Sequence, residues 1–152
     1  MVEQARTTAG LEQLKELINM GAEQGIGIGS LLGMTAETLE PGRVVFVLTP
    51  RAAFSNPLGT VHGGIMSTLL DSSMGCAVHT SLPEGSAYTT LELKVNFVRA
   101  VSPDAGPLRC EGTVVHLGRK VATTEGRILS AEGKLVAHGT STCMVLPAPT
   151  RE

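Results

Sequence analysis

The chain of 152 residues is poor in aromatic side chains: three phenylalanines, one tyrosine and no tryptophan. An interior built without large rings must be filled by aliphatic residues, and the 18 glycines beside them point to tight turns. An excess of one charge is missing too. Twelve basic residues against 14 acidic ones give a net charge of −2, which offers no long-range attraction to nucleic acid or to an anionic membrane. No apolar run nears the roughly 20 residues of a membrane span. Residues 1–8 carry an acid and no apolar stretch, so no secretory signal is expected there. The three cysteines, Cys76, Cys110 and Cys143, lack CxxC spacing, which fits buried thiols in a reducing cytoplasm and speaks against structural zinc. A GxSxG elbow is absent, so a serine hydrolase is unsupported.

What is present has the size and composition of one domain, expected over residues 1–152, with residues 1–30 as an N-terminal helix and glycine-rich connector. Leu11, Leu14, Leu17 and Ile18 recur at helical spacing over residues 11–20, with Thr8 placed to cap that helix and Gly21 to end it. Gly25-Ile26-Gly27-Ile28-Gly29 looks like a dinucleotide loop, but the GxGxxG spacing fails at Ser30 and no strand precedes it. Residues 30–39 and 43–49 read as a hairpin turning at Glu40-Pro41-Gly42, and residues 50–60 as a loop. Residues 62–80 read as a long helix. Residues 87–98, 108–117, 121–129 and 135–145 read as four meandering strands. The pattern predicts an α+β fold whose antiparallel sheet is covered on one face by the single long helix. A helix of 18 residues spans about 27 Å, the length of a strand of about eight.

One segment carries the chemistry. Behind Asn56, the bulk-free pair Gly63-Gly64 follows His62 and opens the apolar helical stretch, and Asp71 stands about two turns in. A helix N-terminus presents free N–H groups and a positive dipole end to a developing oxyanion. A carboxylate on the same helix suits a base or a nucleophile. At about 100° per residue, Asp71 lies roughly 150° from the stripe of Ile65, Met66, Leu69 and Ala77. Met74, Gly75 and Val78 flank it, and this second face is expected to be covered by a partner subunit, so that isolated monomers are inactive. An ordinary solvated aspartate fits the wheel as well.

Asn56-Pro57-Leu58-Gly59-Thr60-Val61-His62-Gly63-Gly64 followed by Leu70-Asp71 resembles the hotdog-fold acyl-CoA thioesterases. The similarity lies with the PaaI-like group that includes the Arthrobacter-type 4-hydroxybenzoyl-CoA thioesterases, and it extends over residues 31–146. Residues 90–99, Gly118-Arg119-Lys120 and residues 133–140 support it. It implies an antiparallel sheet wrapped around one long central helix, and hydrolysis of an acyl-CoA to a carboxylic acid and free CoA. No cofactor is implied, since CoA is part of the substrate. A homotetramer is, built as a dimer of dimers with active sites at subunit interfaces.

The resemblance also assigns roles. Asp71 becomes the nucleophile or general base, and the Gly63 backbone N–H the oxyanion donor, with Gly64 beside it at the substrate. His62 contacts the thioester carbonyl or fixes the loop, and Asn56 contacts the carboxylate, water or carbonyl. Arthrobacter-type enzymes carry Glu in place of Asp71 and Thr in place of Gly75, which puts this chain on the PaaI-like side with the water-orienting task at Thr90. Arg99, Arg119 and Lys120, with Gly118 in the turn, are expected at the CoA phosphates. Plainer roles stand beside these: a tight junction at Gly63-Gly64, a cap at His62, a turn at Asn56, a strand residue at Thr90 and solvated surface cations. Met34, Phe54, Met74 and Tyr88 are candidates for the acyl pocket or simply for the core.

Two other activities fit the residues less well. A hotdog hydratase or dehydratase needs a histidine partner at Asp-x4-His spacing, but the next histidine after Asp71 is His79. A non-catalytic acyl-CoA sensor usually carries a DNA-binding segment, and no basic helix-turn-helix precedes Leu31. The acyl group stays open between aromatic and short-to-medium aliphatic.

Overall fold

The computed structural model describes residues 2–148, with side chains described from residue 9 onward. Helix α1 spans Val2–Gln24 and α2 spans Ile28–Leu32, followed by strands β1 (Thr35–Glu40) and β2 (Arg43–Leu48). The long helix α3 is Gly63–His79, and strands β3 (Ala87–Phe97), β4 (Leu108–Leu117), β5 (Val121–Leu129) and β6 (Leu135–Leu146) complete the chain. All six strands form one antiparallel sheet in the order β1-β2-β4-β5-β6-β3. The sheet wraps α3, which packs against β2, β3, β4, β5 and β6. This is the hotdog arrangement.

Alternation explains the wrap. Leu108, Cys110 and Gly112 of β4 and Ala122, Thr124, Gly126 and Ile128 of β5 turn inward as successive buried positions. They meet Leu69, Leu70, Met74 and Ala77 of α3, all fully buried. With so few rings available, closeness comes from small residues. A Cβ at Gly112 would overlap the backbone of Ser73 and Met74, so only glycine lets the helix backbone lie directly on β4. Among the described residues no helix is long and apolar enough to cross a membrane.

Several expectations need correction. Helix α1 starts before Thr8, whose side chain lies outside the described residues, and it continues through Gly21. It ends instead at Gly25, with φ of 65° and the Ile26 N–H bonded back to the Gly21 carbonyl at 2.9 Å, a Schellman closure. The first half of the expected 30–39 strand is α2, stopped by left-handed Gly33. The four C-terminal strands do not all meander: β3 lies at the far edge beside β6, and the 98–107 connection crosses over to β4. The second face of α3 is not left for a partner, because Met74 and Val78 are fully buried within the chain and Gly75 is covered by Tyr88. A sheet that curls round the helix reaches both of its faces, which a one-sided covering model misses.

Candidate functional site

The loop before α3 aims its N-terminus. Asn56 forms an Asx turn: its Oδ1 accepts from the N–H groups of Leu58 (2.9 Å) and Thr60 (3.2 Å), while its Nδ2 donates to Thr60 Oγ1 (2.9 Å). The Asn56 amide is thus occupied in shaping the loop and touches neither Asp71 nor Thr90. His62 is the N-cap of α3, and its Nδ1 accepts from the Gly64 N–H at 2.8 Å. That bond puts the imidazole proton on Nε2. A Cβ at Gly64 would stand 2.9 Å from His62 Nδ1, so the glycine keeps the cap close. The Ile65 N–H is taken by the His62 carbonyl. Among the described residues nothing accepts from the Gly63 N–H. Gly63, Asn56, Phe97 and Arg99 line a cleft of about 310 Å³ at this end of the helix.

Asp71 sits at mid-helix, half-buried, and its Oδ1 accepts from Thr90 Oγ1 at 2.9 Å. A β-bulge makes the contact possible. On β3, Thr90 pairs with Cys143 and Glu92 with Thr142, so Leu91 is an extra residue without a place in the ladder. Before the bulge Tyr88 and Thr90 face the helix; after it Leu93 and Val95 do. Strict alternation would have turned Thr90 to solvent and Leu91 inward, whereas Leu91 is 54% exposed.

One turn further along α3, Gly75 opens space for Tyr88. A Cβ there would collide with the Tyr88 hydroxyl and ring. Burial raises the Tyr88 phenol far above its ordinary range, and it pushes the Cys76 thiol up to about 12, with the Asp71 charge adding to both. Both groups are therefore neutral at physiological pH. The sequence offers Tyr88 for the acyl pocket or the core and Cys76 as a buried thiol, and nothing in it points to Phe97. A glycine in mid-helix facing an aromatic strand position was the available signal for Tyr88.

The ten residues singled out form two groups. Asn56, His62, Gly63, Gly64 and Arg99 gather at the N-terminal end of α3. Asp71 and Thr90 lie near the other end of the sheet, where Thr90 pairs with Cys143 and Cys143 with Ala122, just past the Gly118-Arg119-Lys120 turn. Arg119 and Lys120 are exposed, and among the described residues neither they nor Arg99 pair with a carboxylate. Eight residues separate Gly63 from Asp71, about 12 Å along one helix. Within a single copy, then, the carboxylate and the free N–H are too far apart to act on one carbonyl.

Of the acyl-pocket candidates, Phe54 and Met74 are core residues, and Met34 lines an apolar groove beside α1. Comparison with known proteins gives the context. A profile of the thioesterase superfamily matches residues 58–137. A protein of Saccharolobus solfataricus described as a candidate esterase is 31% identical, with 78% of this chain and 83% of that protein covered. The 1,4-dihydroxy-2-naphthoyl-CoA hydrolase of Listeria monocytogenes is 22% identical, over 79% of this chain and 96% of its own. In fold, the chain is similar to the PaaI protein of E. coli, with a TM-score of 0.79, 20% identity, and 91% and 95% of the two chains covered.

Proposed function

Since this chain belongs to the thioesterase superfamily and is a thioester hydrolase, we propose that its substrate is an acyl-CoA and that Asp71 and the Gly63 N–H carry the reaction. The observation that carries this reading is that one helix bears both a carboxylate held through a single oxygen and an N-terminal N–H that nothing among the described residues accepts. The Thr90 hydroxyl holds Asp71 Oδ1, which leaves Oδ2 for chemistry. Acting as base, the carboxylate takes a proton from water as the water oxygen attacks the thioester carbonyl carbon. Charge collects on the carbonyl oxygen, where the Gly63 N–H and the helix dipole stabilise it. The carbon–sulfur bond then breaks, CoA leaves as the thiolate and recovers a proton, and the carboxylic acid remains. Direct attack by Asp71 would pass through an anhydride that water opens to the same products.

The separation of about 12 Å along α3 supports a site shared between two subunits. Among the described residues the outer edge of β3 has no strand beside it, and it exposes Leu91 and Phe97. Two such edges paired antiparallel across a two-fold axis set the Thr90 end of one copy along the Phe97 end of the other. Asp71 of one subunit then meets Gly63 of its partner, and each dimer holds two sites. The tetramer would follow by pairing such dimers. In this reading the Gly118-Arg119-Lys120 turn and Arg99 serve the CoA phosphates as unpaired cations. Asn56, His62 and Gly64 set the donor, one through the loop and two through the cap.

Free-thiol release from an acyl-CoA panel tests the reading. Stoichiometric CoA thiol and carboxylate are expected. Calorimetric CoA binding with no thiol released would turn the protein into a binding module. Loss of enoyl-CoA absorbance without thiol would make it a hydratase, for which His79, eight residues from Asp71 and packed edge-on against Tyr88 at 6.0 Å, is badly placed.

A further inference from the structure

A groove of about 450 Å³ lies on the β1–β2 side of α3, between that helix and α1. Ala22 of α1, Met34 and Ala36 around the start of β1, and Phe46 of β2 form its walls, and α3 enters it with Ser72 and Cys76. We infer that this groove receives the acyl group, and that the acyl group is an uncharged aliphatic chain of medium length. The inference rests on the thioesterase reading above and names the substrate class of that same site.

Three observations support it. The first is continuity. Ser72 and Cys76, which line the groove, stand one and five residues after Asp71 on α3, so the groove meets the helix within about a turn and a half of the carboxylate. The second is chemistry. None of the lining residues is an acid or a base, and the Cys76 thiol stays neutral because it is buried. A charged acyl terminus placed there would lose its water and meet no counter-ion. The third is size. The volume falls among pockets that take drug-sized ligands, which is more room than a single aromatic ring fills. The groove's own lining also includes the outward-facing apolar residues Leu17, 46% exposed, and Ile26, 63% exposed. An alkyl chain can extend onto that surface, whereas a ring stops short of it.

The test is thiol release from straight-chain acyl-CoAs between acetyl and dodecanoyl, with succinyl-CoA and benzoyl-CoA as the charged and aromatic probes. Each methylene that enters the groove is expected to raise kcat/KM about threefold to fourfold, until the groove is filled. Ala22→Phe narrows the groove from the helix side and is expected to lower the decanoyl-to-acetyl ratio of kcat/KM tenfold or more. Ala36→Phe does the same from a strand position that accepts aromatic residues, and it replaces the first variant should that one fail to fold. A flat chain-length profile, a preference for succinyl-CoA or benzoyl-CoA, or a ratio unmoved by the folded variant overturns the inference while leaving the thioesterase reading intact. So does a variant that changes the oligomer size and leaves the profile where it was, since the groove would then be a subunit contact. If no acyl-CoA in the panel releases thiol, the thioesterase reading fails and this inference falls with it.

Discussion

Asp71→Asn is expected to lower kcat for acyl-CoA hydrolysis by about 10²- to 10⁴-fold, the range a positioned general base supplies. The substitution is nearly isosteric, and the amide oxygen can still accept from Thr90 Oγ1, so the contact between α3 and β3 survives. Asp71 is half-buried and makes that one side-chain bond, and no ion pair among the described residues involves it. Its replacement should therefore move the melting temperature by only a few degrees. Activity and stability separate cleanly in such a variant. Single-turnover measurement of thiol release beside a thermal melt checks both halves, and near-wild-type turnover by the Asn variant would remove Asp71 from the reaction.

Gly63→Pro is expected to cost about 10²- to 10³-fold in kcat, as the loss of one oxyanion donor does, with the fold retained. Gly63 is the first residue of α3, the helical position that proline tolerates best, because its N–H has no partner inside the helix. The preceding His62 already has ψ of 135°, the conformation a following proline demands. Proline here deletes one hydrogen-bond donor from an otherwise standing helix. It also adds a Cβ, which would come within 3.0 Å of the tip of the exposed Phe97 ring. Gly63→Ala adds that Cβ and keeps the N–H, so the difference in kcat between the two variants isolates the donor. Equal losses in both would mean that bulk, not the hydrogen bond, matters at this position.

Much of this was legible in the residues. The strands at 108–117 and 121–129 and the helix behind His62 followed from period and punctuation, because turn residues bracket each apolar run. The Asp71–Thr90 contact was not legible from alternation. Leu91, Leu93 and Val95 read as one inward stripe, and only the bulge at Leu91, a property of the pairing with β6, turns Thr90 toward the helix. The order of the sheet escaped for a related reason. Nothing local in residues 87–97 distinguishes a partner before them from one after; β4 has both edges taken by β2 and β5, and β3 pairs with the remaining edge of β6. The curl of the sheet round α3 buried Met74 and Val78, which the helical wheel had set aside for another subunit. In the proposed reaction the partner enters on different grounds: the distance along one helix between the acid and the donor.

That distance gives the most direct test. Asp71→Asn and Gly63→Pro chains, each nearly inactive alone, can be unfolded together and refolded, or co-expressed with two tags. Random pairing makes about half of the dimers mixed, and a mixed dimer has one site with both defects and one with neither. The unsorted mixture should therefore show about a quarter of the wild-type kcat, and tandem-purified hybrids about half per dimer if the dimers are free or about 0.3 per dimer if dimers pair randomly into tetramers. A mixture that never exceeds the sum of its two parents would contradict a site shared between Asp71 of one subunit and Gly63 of the other.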